Sequence, residues 1–199
     1  MIAVITGDII NSTEDESTTW LNLLKKVLLR YGKSPGDWEI FRGDSFQLAI
    51  DPEKALLTAF HIKSAIKQTG NRDVRMGIGI GQATHQAERI SESNGPAYVN
   101  SGECFESLKK QTIALRSGLE NFDEPLNLML QLSLLTADSW SPTVSTVFSA
   151  TFENPGKSQK ELAQLLDKSQ SSVSEAMSRG GYNELMKVNA FYTKSLKKI

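Results

Sequence analysis

Apolar and polar positions alternate along the chain in a readable order. Ile2–Thr6 is apolar or β-branched almost throughout, as in a strand buried on both faces, and Gly7-Asp8 closes it. Trp20, Leu24, Val27, Leu28 and Tyr31 then recur at helical spacing up to Gly32, with Ser12 or Thr13 as the cap and Asp15 or Glu16 completing a capping box. Trp38–Arg42 and Ser45–Ile50 read as two strands joined at Gly43-Asp44. Pro52 opens a second helix, carried by Ala55, Leu56, Ala59, Phe60 and Ile66 to about Thr69. Asp73–Gly81 returns to strand, Ala97–Lys110 to helix and Ile113–Arg116 to strand. Two βαβ-like halves around an antiparallel hairpin predict an α+β, ferredoxin-like sandwich with the first and third strands side by side.

The remainder is helical. Leu126–Trp140 and Thr143–Phe152 form a connector, and Ser158–Arg179 carries a helix-turn-helix pattern. Gln159, Leu162, Ala163 and Leu166 line one face of the first of its helices, Asp167-Lys168-Ser169 makes the turn, and Val173 and Met177 anchor the second. With Pro142 and Pro155-Gly156 as punctuation, the expected division is 1–120, 121–154 and 155–199.

Charge sharpens that division. Residues 155–199 hold eight basic and four acidic side chains, against 14 and 19 in residues 1–154, an asymmetry that the net charge of −1 conceals. The basic segment resembles the helix-turn-helix domains of bacterial regulators. Lys168, Gln170, Ser171, Ser172, Ser174 and Arg179 would then face double-stranded DNA, with Ser169 as the cap; the alternative is a helical hairpin used for packing. The only cysteine, Cys104, leaves no internal disulfide, and with only His61 and His85 beside it there is no Cys/His set at zinc spacing. The longest greasy run, Leu126–Leu135, is too short and too interrupted to span a bilayer, and Met1–Thr6 is not preceded by a basic region. The expectation is a cytoplasmic protein. His61 and His85 read as surface or edge residues, and Cys104 as a small buried hydrophobe.

Candidate chemistry gathers in the first module. If the first and third strands are neighbours, Asp8 and Asp44 face each other, and paired carboxylates call for a shared cation such as magnesium or manganese, with the Ile9 carbonyl as a further ligand. The amides of Ile10, Asn11, Ser12 and Thr13, running into a helix, would receive a phosphate. The alternative is ordinary turn chemistry, since Gly-Asp pairs are common in turns. In Arg75–Gly81 the alternating glycines are read as close packing rather than a phosphate loop.

Four segments, Gly7-Asp8-Ile9-Ile10-Asn11-Ser12-Thr13, Arg42-Gly43-Asp44-Ser45-Phe46, Arg75–Gly81 and Gly95-Pro96-Ala97-Tyr98-Val99-Asn100, stand in the order and approximate spacing of class III nucleotidyl cyclase catalytic domains, which residues 1–118 resemble. The resemblance implies a ferredoxin-like fold, Asp8, Asp44 and the Ile9 carbonyl as metal ligands, Asn100 on a ribose, and a site formed between two subunits, hence a homodimer. Cys104 stands where cyclases carry a transition-state arginine, and Ile40 where they carry a base-selecting lysine. The chain also resembles the SatD family, which pairs a cyclase-like half with a helix-turn-helix. The resulting expectation is a DNA-binding transcriptional regulator with a degenerate cyclase-like domain that holds a metal-nucleotide or phosphate ligand. The alternative is a divergent metal-dependent nucleotidyl or phosphoryl transfer enzyme.

Overall fold

β1 (Ile2–Ile10) outruns the apolar stretch that predicts it by four residues. In this computed structural model, which describes residues 1–13 and 18–199, Gly7 does not turn the chain. A Cβ there would lie 2.6 Å from the Arg75 carbonyl and 2.8 Å from the Phe46 ring, so glycine lets the strand continue between its two neighbours. α1 (Thr19–Tyr31) starts later than expected, with Thr18 as its boundary residue, so neither Ser12 nor Thr13 caps it. The box partners Asp15 and Glu16 lie outside the described residues. β2 (Trp38–Phe41) and β3 (Ser45–Ile50) form the expected hairpin, turned by Arg42 and Gly43 at positive φ. α2 (Pro52–Lys67), β4 (Asp73–Gly81), α3 (Pro96–Ser107) and β5 (Ile113–Arg116) follow, with a short 3-10 turn at Ile90–Glu92 before α3.

The architecture is mixed α/β, a five-stranded mixed sheet with eight α-helices among the described residues. The strand order is β2-β3-β1-β4-β5; β1 runs antiparallel to both β3 and β4, while β4 and β5 are parallel. One face carries Ile5, Ile9, Phe46, Leu48, Met76 and Ile78, all buried in the main core. α3 lies on the other face, where Gly77, Gly79 and Gly81 form a groove for its backbone. A Cβ on Gly77 would meet the Ser101 carbonyl at 2.7 Å, and one on Gly79 would overlap the Ala97 carbonyl and the Ser101 amide. The glycines serve packing, as their spacing indicates.

The chain continues through α4 (Glu120–Ala137), α5 (Pro142–Glu153), α6 (Gln159–Leu165), α7 (Gln170–Arg179) and α8 (Tyr182–Leu196). Ser158 and Glu161 cap α6 reciprocally, a Ser-x-x-Glu signature. α8 folds back so that the Tyr192 hydroxyl donates to the Pro52 carbonyl at 2.7 Å, and the Trp140 indole donates to the Gly180 carbonyl at 3.0 Å. Beneath these helices Lys63, fully buried, pairs with Asp73 and Asp138, both at 2.7 Å. His61 is also fully buried, contrary to the surface position expected of it, because α5 covers α2. His85 is exposed and Cys104 buried, as the sequence indicates.

Candidate functional site

The α3 face of the sheet is polar where α3 does not cover it. Register places Asp8 between Ser45 of β3 and Arg75 of β4, and Thr6 between Gln47 and Gly77. Gln47 donates to the Thr6 hydroxyl at 3.2 Å, and Thr6 shares a 2.9 Å hydrogen bond with Ser101 of α3. Both Asp8 oxygens accept from Arg75, one from Nε at 3.0 Å and the other from Nη2. The guanidinium also stands 5.5 Å from the centre of the Phe105 ring, and hydrogen bonding to Asp8 raises its pKa above the usual value. On the same face, Glu39 is buried beside Gln47; a Ser91 hydrogen bond, with Arg89 beside it, holds the carboxyl below its usual pKa against the opposing effect of burial.

The sequence-predicted residues divide. Asp8 and Asp44 are brought close through the backbone, because Asp44 precedes Ser45, the cross-strand partner of Asp8, and the Ile9 amide donates to the Asp44 carbonyl at 3.2 Å. The Asp44 carboxylate accepts from the Ser12 hydroxyl at 2.7 Å. Ile10, the last residue of β1, pairs with Asp73 of β4, and Asn11, at φ 61°, sends its side-chain amide to the Asn71 carbonyl. With α1 starting at Thr19, residues 10–13 do not form a helix N-terminus, and Thr13 is exposed at the edge of the described segment. Asn100 donates to the Ile80 carbonyl at 2.9 Å, and Ile80 lies five residues up β4 from Arg75, about 17 Å at strand rise. One chain therefore does not bring Asn100 to Asp8.

Arg75 is the residue that sequence reasoning passed over. Its motif was visible, but its pairing with Asp8 follows from the β1–β4 register, which relates positions 67 apart in sequence. A resident magnesium or manganese ion does not fit the donor set as arranged. Both Asp8 oxygens accept from a guanidinium, which sets a positive charge beside the place the ion would take, Asp44 is engaged by Ser12, and no group of three or more His, Cys, Asp or Glu side chains among the described residues is placed to hold a metal. Cys104 is buried, and burial pushes its thiol up to about 11, away from the thiolate form.

The second candidate surface is α7. Val173, Ala176 and Met177 face inward, whereas Gln170, Ser171, Ser172, Ser174 and Arg179 are exposed, with Lys168 exposed just before the helix. The Ser169 hydroxyl accepts from the Ser172 amide at 3.1 Å and lies within 2.9 Å of the Ser171 and Ser172 hydroxyls, so these two serines are drawn into the cap. Arg179 pairs with Glu175 at 3.0 Å, both exposed, at the opposite end of α7 from Lys168. α6 meets α7 through a turn in which Asp167 has φ 50°.

A five-stranded mixed sheet with an Asp8–Arg75 pair on its polar face, packed with helices that include the polar-faced α7, defines the molecule as a mixed α/β protein. The chain belongs to the SatD family, whose sequence profile matches residues 1–190. No curated protein matches it. No helix among the described residues is long and apolar enough to cross a membrane.

Proposed function

We propose that this protein is a DNA-binding transcriptional regulator in which α6, the Asp167 turn and α7 (within residues 155–199) form the helix-turn-helix, connected by residues 121–154 to a ferredoxin-like, cyclase-like domain in residues 1–120. The observation that carries the proposal is the exposed polar face of α7 in the more basic part of the chain: an apolar edge of Val173, Ala176 and Met177 seats the helix while Gln170 and Ser174 project from it, with Lys168 at its start and Arg179 at its end. Glutamine and serine match base edges in the major groove, and lysine and arginine match phosphates. The test is fluorescence anisotropy on duplex DNA, from random-sequence fragments to those selected by the protein. Affinity should fall steeply with salt, and Lys168→Ala/Gln170→Ala should weaken binding at least about tenfold with helix content unchanged. Equal affinity in the variant would refute the reading.

The strand order β2-β3-β1-β4 supports the ferredoxin-like assignment, because the two central strands β1 and β3 are neighbours flanked by the others. The sheet domain would serve as a sensor. Arg75 supplies a fixed cation where cyclases bind metal, and a phosphate-bearing ligand would compete with Asp8 for that guanidinium. A second reading, metal-dependent nucleotidyl or phosphoryl transfer with Asp8, Asp44 and the Ile9 carbonyl around magnesium or manganese, draws on the backbone convergence of Asp8 and Asp44. It requires Arg75 to leave Asp8. Calorimetric titration with nucleoside triphosphates, with and without magnesium, separates the two: the sensor reading expects binding without metal that Arg75→Ala abolishes, and the enzyme reading expects binding only with metal that Asp8→Ala abolishes.

A further inference from the structure

Asn94 is the only asparagine in the chain that is followed by glycine, and the pair closes the loop between β4 and α3. Asn94 is exposed. The Gly95 amide donates to Asn94 Oδ1 at 2.7 Å and to no backbone carbonyl among the described residues. The Asn94 Cγ, bonded to that oxygen, therefore stands about 3–3.5 Å from the Gly95 nitrogen, the spacing of a near-attack arrangement. Glycine is dictated at 95 by φ 143° and by the Gln82 carbonyl and Thr84 amide, each 2.6 Å from where a Cβ would lie, and it leaves the nitrogen without a side chain to shield it. The Asn94 carbonyl, which shares a peptide unit with that nitrogen, accepts three hydrogen bonds: from the Thr84 and His85 amides at 3.0 Å each, and from the Thr84 hydroxyl at 3.3 Å.

A peptide nitrogen attacks only after losing its proton, and the charge then spreads onto the carbonyl oxygen of the same unit. Three donors already aimed at the Asn94 oxygen stabilise that anion as an oxyanion hole does. We propose that Asn94-Gly95 is a self-modification site, at which the folded chain converts its own asparagine to aspartate. The Gly95 proton passes to solvent, the N–Cγ bond forms, and the Cγ–Nδ2 bond breaks with release of ammonia, leaving a five-membered cyclic imide. Water then reopens the ring. Opening at Cγ gives aspartate, whereas opening at the main-chain carbonyl gives isoaspartate, with an extra methylene in the backbone.

The fold selects aspartate. Asn94 is fixed to His85 by an antiparallel bridge, and Gly95 has no room to shift towards Gln82 and Thr84, so an added backbone atom does not fit. An aspartate carboxylate at this position still accepts from the Gly95 amide and sets negative charge at the start of α3, where Gly95 supplies no side-chain cap. The two asparagines followed by serine are held differently: Asn100 Nδ2 donates to the Ile80 carbonyl from within α3, and Asn11 Nδ2 donates to the Asn71 carbonyl. The conversion does not reverse, so the charge at the start of α3 records how long the chain has been folded. The assignment rests neither on DNA binding nor on a ligand of the sheet face.

Peptide-resolved mass spectrometry of the full chain, incubated at neutral pH and sampled over days, tests it. The peptide that contains Asn94 is expected to gain the mass of an amide-to-acid exchange at least about threefold faster in the native protein than in the same chain unfolded in guanidinium, where the near-attack placement and the three donors are lost. Thr84→Val, which removes the hydroxyl donor and keeps the amide, should slow the native reaction about threefold, a small effect for an oxyanion donor because Thr84 is exposed. Its circular dichroism spectrum should match the wild type. Digestion with an aspartate-specific protease and labelling by isoaspartyl methyltransferase should find mainly aspartate in the native product. A native rate at or below the unfolded rate, a rate indifferent to Thr84→Val, or a native product that is mainly isoaspartate overturns the proposal.

Discussion

At the scale of single residues, glycine positions separate two roles that composition cannot. Gly79 is pressed against the backbone of α3, so Gly79→Ala forces α3 off the sheet and is expected to cost at least about 3 kcal/mol, the range of severe core overpacking. Gly102, on α3 itself, has open space where a Cβ would go, so Gly102→Ala should stabilise by up to about 1 kcal/mol through helix propensity. Urea titration of the two variants checks both signs. His61 makes a different residue-scale prediction. Its Nδ1 shares a 2.8 Å hydrogen bond with the Tyr31 hydroxyl of α1, Nε2 lies 4.0 Å from the Glu153 carboxylate of α5, and Arg30 and Lys26 of α1 add positive charge nearby. Burial pushes its pKa down from 6.5 to about 4, with Glu153 opposing in part. Between those values the unfolded chain binds a proton that the folded chain does not, so stability is full above about pH 6.5 and falls as the pH drops towards 4. The loss is on the order of 3 kcal/mol. Unfolding curves at several pH values should show this loss in the wild type and a shallower one in His61→Phe; parallel curves would remove His61 as the cause.

At the scale of elements, the turn between α6 and α7 shows how a departure from the common sequence is accommodated. The Lys168 amide donates to the Ala163 carbonyl at 2.9 Å and the Asp167 amide to the Gln164 carbonyl at 3.3 Å, the paired bonds of a Schellman ending with Asp167 in the left-handed region. Asp167→Gly should therefore stabilise by about 0.5 to 1 kcal/mol and Asp167→Val should destabilise by more than that, which thermal melts can measure. Elements were legible wherever local pattern decides them. β4 and β5 fall at the residues that their apolar runs and flanking turns predict, and α6 and α7 fall on either side of the expected turn. Legibility failed where a distant partner decides. Gly7-Asp8 reads as a turn locally, but Phe46 and Arg75 make it strand, and the start of α1 moved with it. The Asp8–Arg75 lock, the burial of His61 by α5 and the separation of Asn100 from Asp8 depend on register and layer order, which no local window contains.

At the scale of the whole molecule, most of the buried apolar side chains form one cluster that runs from Ala3 in β1 to Leu196 in α8, with Val4, Ala97 and Cys104 buried apart from it. Polar contacts cross the same boundary. Lys63 and Lys67 of α2 join Asp73 of β4 to Asp138 at the end of α4, with Thr112 bonded to both Lys63 and Asp138, and Tyr192 of α8 closes on the first turn of α2. The sheet is therefore tied through α2 to the end of α4 and to α8. The three tryptophans report on different parts of this path: Trp20 in α1, Trp38 in β2 and Trp140 against Gly180. If the core unfolds as one unit, single-tryptophan variants followed by fluorescence should share one denaturant midpoint, and that midpoint should match the loss of helical circular dichroism. Lys63→Met should lower the stability read by every probe together by up to about 3 kcal/mol, because Asp73 keeps only Lys67 as a cationic partner and the Asp138 carboxylate keeps the Thr112 hydroxyl. Were Trp140 to report an earlier transition than Trp20 and Trp38, the helical half would open separately, and coupling from the sheet to α7 would have to pass through a loose hinge instead of a packed core.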